Sequence, residues 1–151
     1  MPRSLSNPRW ARVQNAVKVA FAALIILLTS CGSGKDIAAA QQGVGQFHSQ
    51  LDSEQYHEIY AAADDSFHKA TTETDFIALL QAIHRKLGKT QKSEQRTFQV
   101  GWYTGTGKTV TLGYDTNFAG GAASEQFVWG LRGDQAVLLG YHVTSNALIT
   151  K

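Results

Sequence analysis

Several side chains in this chain have types and spacings that could do chemistry. Glu54 and His57 stand three residues apart, as do Asp65 and His68, which is the carboxylate/histidine spacing used by di-iron helical bundles. Those ligands project from four facing helices, whereas half of this domain reads as strand, so both pairs are read as surface polar residues. His48, His84 and His142 show no tight ligand spacing, and a metal site gains no support from them. Gly107-Lys108-Thr109 imitates the end of a phosphate-binding loop, but that motif needs glycine at position 102, where this chain has Trp102, and a helix afterwards, where it has a strand. It reads as a hairpin turn. Ser124 and Ser145 occupy turn or strand-end contexts without a nucleophile elbow. Glu125 begins an alternating row opposite the Tyr114 to Phe118 stretch, either as a pocket carboxylate with a raised pKa or as an exposed cross-strand partner, the second being preferred. Trp102, Trp129, Tyr114 and Tyr141 share rows with Val, Leu and Phe and read as core. No catalytic residue, metal ligand or cofactor emerges from these patterns.

Cys31 carries the most specific chemistry. It is the only cysteine, and it closes Leu28-Thr29-Ser30-Cys31 just after an apolar run from Val19 to Leu28. The constellation resembles the bacterial lipobox, in which the thiol is acylated and the cysteine becomes the mature N-terminus. Arg3, Arg9, Arg12 and Lys18 precede the apolar run, and the first carboxylate is Asp36, so a basic head leads an apolar core as in an export signal. The run is ten residues long, against the roughly twenty of a membrane span. The expected organisation is a lipoprotein signal peptide over 1–30, a lipidated cysteine with a flexible Gly-Ser tether over 31–35, and one domain over 36–151. Gly32, rather than Asp, follows the cysteine, which points to the outer membrane, facing the periplasm.

Removal of the leader changes the charge balance. Of the 14 Lys and Arg, four precede Cys31, leaving ten against all 12 acids and a formal charge of −2. The remaining cations are scattered or interleaved with Glu and Gln, which argues against a nucleic-acid partner. Pro2 and Pro8, the only prolines, also belong to the leader. The remaining 121 residues suffice for one core.

Two periods divide the domain. Ile37, Ala40, Val44, Phe47 and Leu51 fall on one helical face; Asp52 or Ser53 can cap a short second helix with Tyr56, Ile59 and Tyr60. A third helix opens on Thr72-Glu73-Thr74-Asp75, carries Phe76, Leu79, Leu80, Ile83 and Leu87, and stops at Gly88. From Lys92 onward the period is two. Phe98, Val100 and Trp102 form one row; Val110, Leu112, Tyr114 and Phe118 a second; Phe127, Trp129 and Leu131 a third; Val137, Leu139, Tyr141 and Val143 a fourth. Turn-forming residues separate the rows, so the fold class is α+β, with N-terminal helices packed on a four-stranded antiparallel sheet.

The segments Arg85-Lys86-Leu87-Gly88, Val110 to Phe118, Glu125-Gln126-Phe127-Val128 and Leu139-Gly140-Tyr141 resemble, in order and spacing, a family of small exported bacterial proteins known as domain of unknown function 4019. The resemblance implies a cystatin-like cone, similar to nuclear transport factor two, in which helices wrap a curved sheet around a possible pocket. Where the family usually has Trp, four positions before the glycine of the Gly-Tyr pair, this chain has Ala136. The family brings no catalytic residues. The cone makes Tyr114, Glu125, Tyr141, Trp102 and Trp129 the candidate pocket residues.

Two functional readings follow. The preferred one is a non-enzymatic envelope lipoprotein, held in the membrane by acyl chains on Cys31, that binds an envelope protein, a peptide, a small apolar ligand or a second copy of itself. The alternative is a small enzyme using Tyr114, Tyr141 and Asp115 or Glu125 for acid/base chemistry in an apolar cone. Convergent polar groups in a closed cavity favour the enzyme, whereas a filled core with an exposed apolar patch favours the binder.

Overall fold

The computed structural model of the chain describes residues 32–150; the expected signal peptide over 1–30 and the expected lipidation site Cys31 lie outside them. Helix α1 (Gly32–Asp52) buries Ala40, Val44, Phe47 and Leu51, each at most 2% exposed. The Gly32–Lys35 stretch, expected as a tether, is the first turn of this helix, because extending an existing helix by a turn is far easier than nucleating one. Gly43 faces the sheet, where a Cβ would meet Cη2 of Trp129 at 2.8 Å. The low helix propensity of glycine is offset there by close approach of helix and strand.

Helix α2 (Tyr56–Ala61) buries Tyr56 and Ile59 but has no side-chain cap. The expected cap, Asp52, instead accepts a hydrogen bond from the backbone N–H of Thr90 at 2.8 Å and so ties the end of α1 to the start of the sheet. Helix α3 (Asp65–Ala70), which the sequence did not announce, is capped by Asp64 through the N–H of Ser66 and buries only Phe67. One buried residue in six leaves no periodicity to read. Helix α4 (Glu73–Leu87) follows its sequence signals. Thr72 accepts from the N–H of Asp75, Gly88 ends the helix at φ 75°, and Phe76, Leu80, Ile83 and Leu87 are buried. Leu79, placed in the same stripe, is 40% exposed.

Strands β1 (Thr90–Tyr103), β2 (Gly107–Phe118), β3 (Gly121–Arg132) and β4 (Gln135–Thr144) form one antiparallel meander in the order β1-β2-β3-β4. A short helix α5 (Asn146–Thr150) follows, held by Lys86 donating to the carbonyl of Leu148 at 2.6 Å. The core lies between the helices and one face of the sheet, where Phe47 packs its ring 5.1 Å from Phe127 and 4.7 Å from Tyr141. The α+β architecture is that expected from the change of period.

Two rows depart from expectation. In β4 the register shifts opposite Val128/Trp129, so Tyr141 pairs with Phe127 while Leu138, not Leu139, pairs with Trp129. The bulge reverses the phase: Leu138 and Ala136 pair with core-facing residues of β3, and Leu139 covers Gly130 on the opposite face. In β1, Phe98 and Val100 pair with the buried Leu112 and Val110 and therefore share their face, yet they are 60% and 37% exposed. β1 is an edge strand, and the helices, which reach Thr90 and Gln95, do not cover its Phe98–Tyr103 end.

Candidate functional site

A buried cluster of ionisable side chains centres on Glu125. Alternation along β3 turns Glu125 to the same face as Phe127, and its side chain is fully buried. Its Oε2 lies 2.8 Å from Nε2 of His48 and accepts the hydroxyl of Thr116 at 2.5 Å; its Oε1 accepts the phenol of Tyr141 at 2.7 Å. Thr116 in turn lies 2.8 Å from the hydroxyl of Ser93, so the network runs from α1 through all four strands. Burial pushes the Glu125 carboxyl up, but the imidazole of His48 and the hydroxyls of Thr116 and Tyr141 outweigh it and hold the group below its ordinary range. The raised pKa that the pocket-carboxylate alternative called for is therefore reversed. The preferred reading of Glu125 as an exposed cross-strand partner is corrected as well. Burial and the adjacent Glu125 carboxylate push the Tyr141 phenol well above its ordinary value.

The other candidate pocket residues separate. Burial raises the Tyr114 phenol, which donates at 3.4 Å to Oε1 of Gln95; that oxygen also accepts from Nε2 of Gln41 at 2.8 Å. Trp129 lies on the core face against Gly43 and lines a cleft of about 60 Å³ with Gln46, Gln50, Ala136 and Leu138. The indole N–H of Trp129 is buried without a hydrogen-bond partner. Trp102 belongs to neither group: it is 76% exposed near the end of β1. It was expected in the pocket because its row alternates like the others, but an edge strand beyond the helices has nothing to cover it. Asp115, the alternative acid, is exposed, and there it takes a hydrogen bond from Nε of Arg96 at 2.9 Å and one from Ser124 at 3.1 Å.

The histidine pairs also part company. His57 contacts Glu73, and Nε2 of His68 lies 2.8 Å from the carbonyl of Tyr60. Among the described residues, no three His, Cys, Asp or Glu side chains converge as metal ligands, and no helix is long and apolar enough to cross a membrane.

Sequence reasoning missed His48. It lies four residues after Val44 and three before Leu51, which places it on the buried face of α1, so a titratable side chain within that stripe was the available signal. It also missed the exposed line Phe98, Val100 and Trp102, whose alternation is indistinguishable from a core row without knowing which strand forms the edge.

A family model described as a protein of unknown function, DUF4019, matches residues 44–141, from the middle of α1 to Tyr141 in β4. No curated protein matches the chain.

Proposed function

The chain belongs to the DUF4019 family, and from that premise we infer that it is a lipid-anchored module of the bacterial envelope that works by binding rather than by catalysis. The observation that carries the binding reading is the line Phe98, Val100 and Trp102, three large apolar side chains 37% to 76% exposed along one edge strand. Large apolar groups grouped on a surface are the usual mark of an interaction face. The acid/base alternative loses support from the same structure. The buried carboxylate of Glu125 has both oxygens engaged by protein donors, and Asp115 is exposed and occupied by Arg96 and Ser124.

The anchor reading is supported by the basic head, the ten-residue apolar run and Cys31 after Leu28-Thr29-Ser30. Two or more acyl chains, at about 0.8 kcal/mol per buried CH₂, give stable attachment. Gly32 directs the protein to the outer membrane, with the domain in the periplasm.

Intact mass of membrane-extracted protein tests the anchor: a chain beginning at Cys31 with added acyl mass, lost in Cys31→Ala, is expected. An unmodified chain in the soluble fraction overturns it. A photo-crosslinking amino acid at position 98, compared with position 99 on the other face, tests the binding face in living cells. Adducts at 98 and not at 99 are expected, and equal labelling at both positions overturns the assignment.

A further inference from the structure

We propose that the tip of the β1–β2 hairpin enters the headgroup layer of the bilayer that holds the Cys31 acyl chains; this rests on the lipid-anchor reading above. Trp102 and Tyr103, 76% and 56% exposed, are the last residues of β1 before the turn Thr104-Gly105-Thr106. They point to opposite faces. Trp102 pairs across the strands with Lys108, whose ammonium group reaches Asp36 in the first turns of α1. Tyr103 lies on the other face, where a Cβ on Gly101 would meet its ring at 3.1 Å. A folded partner or a peptide laid on the sheet would cover one of these rings and leave the other in water. A medium that surrounds the tip covers both.

The position of the tip relative to the anchor selects that medium. Asp36 is five residues from Cys31, so even a fully extended chain keeps its Cα within about 18 Å of the acylated residue. The Lys108–Asp36 ion pair therefore holds the hairpin tip near the point of lipid attachment. The neighbouring β3–β4 turn is drawn to the same end, because Nη1 of Arg132 donates to the carbonyl of Thr106 at 2.9 Å. Trp and Tyr are the side chains that favour the membrane–water interface, where the ring meets acyl chain and the polar edge meets headgroup. Water in that layer continues to solvate the unpaired backbone groups of the edge strand, which the hydrocarbon core would not allow. The acyl chains and the hairpin then form two points of attachment, which fixes how the domain stands on the membrane.

The test uses the acylated full-length product in vesicles of phosphatidylethanolamine and phosphatidylglycerol whose acyl chains carry bromine close to the headgroup. Once the leader is removed, Trp102 and Trp129 are the only tryptophans, and Trp129 is buried in the core. Loss of emission on brominated lipid in the parent, absent in Trp102→Phe, is expected. Acylated protein whose Trp102 emission is unaffected by brominated lipid and remains open to aqueous iodide overturns the proposal while leaving the anchor intact. Shielding from iodide without bromine quenching, in a sample that sediments as a dimer, assigns the tip to a second copy and also overturns it. Absence of acyl mass in the same sample removes the anchor reading and this proposal together.

Discussion

Nε2 of His48 lies 2.8 Å from Oε2 of Glu125, joining helix α1 to the middle of the sheet across 77 positions of sequence. The contact is buried on both sides, and Thr116 and Tyr141 complete the shell around the carboxylate. A buried charge surrounded by its donors is costly to disturb from either end.

Glu125→Ala is expected to destabilise the domain by about 3–5 kcal/mol, since it strands His48, Thr116 and Tyr141 without their acceptor. Tyr141→Phe removes a single donor and is expected to cost less, about 1.5–3 kcal/mol for a hydrogen bond to a charged group. Urea denaturation of the two variants measures both the size and the order.

The same cluster sets a pH dependence. The folded-state pKa of Glu125 is depressed below its ordinary 4.5, so the folded protein holds this proton less tightly than the unfolded chain. The resulting stabilisation is fully present above the unfolded value and is lost as pH falls through the folded one. Urea midpoints are expected to decline below about pH 4.5 in the parent and to decline less in Glu125→Gln. Parallel acid limbs in the two proteins would show that other carboxylates carry the effect.

Two glycines two residues apart in α1 are expected to respond to alanine with opposite signs. At Gly45 a Cβ meets nothing within 4 Å, so Gly45→Ala gains helix propensity of about 1 kcal/mol. At Gly43 the same methyl meets the Trp129 ring at 2.8 Å, and Gly43→Ala is expected to lose about 1–3 kcal/mol by overpacking. Thermal melts of the pair check the sign directly.

Phe98→Ser and Trp102→Ser are expected to leave the stability of the isolated domain within about 0.5 kcal/mol of the parent, because neither side chain contributes to the buried core. A loss of more than about 2 kcal/mol, of the size expected for a core residue, would contradict the exposure of these side chains. Together with loss of crosslinking from position 98 when Trp102→Ser is added, unchanged melting marks the row as a surface kept for contact.

Much of the fold was legible because its strongest elements carry redundant signals. Helix α4 has a capping threonine, an early acidic turn, a stripe and a terminal glycine, all pointing the same way. The strands β2 and β3 alternate cleanly because both lie inside the sheet with one face covered. Helix α3 was invisible because six residues with one buried phenylalanine are specified by a local aspartate cap and by tertiary contact. The partners of Glu125 were beyond sequence reasoning for a different reason. Binary patterning treats a core-facing carboxylate as an exception to be moved to the surface, and only the packing of α1 reveals His48 opposite it. Trp102 was misplaced because alternation reports which residues share a face and not whether that face is covered.

The bulge in β4 makes strand length a variable with a binary effect. Between Val128 and Trp129 the two strands advance by unequal numbers of residues, Gly140 and Leu138 being their partners. Loss of Leu139 would restore an even ladder without moving any pairing assignment on either side of it, because the extra residue is the one left unmatched. Positions 138 and 139 are both leucine, so removal of either gives the same chain, whereas a deletion farther along the strand exchanges inside for outside over the stretch between it and the bulge. Single deletions scanned along this strand should therefore be tolerated best at the Leu138-Leu139 pair and worse with distance from it, which is how an irregular ladder stores its reading frame.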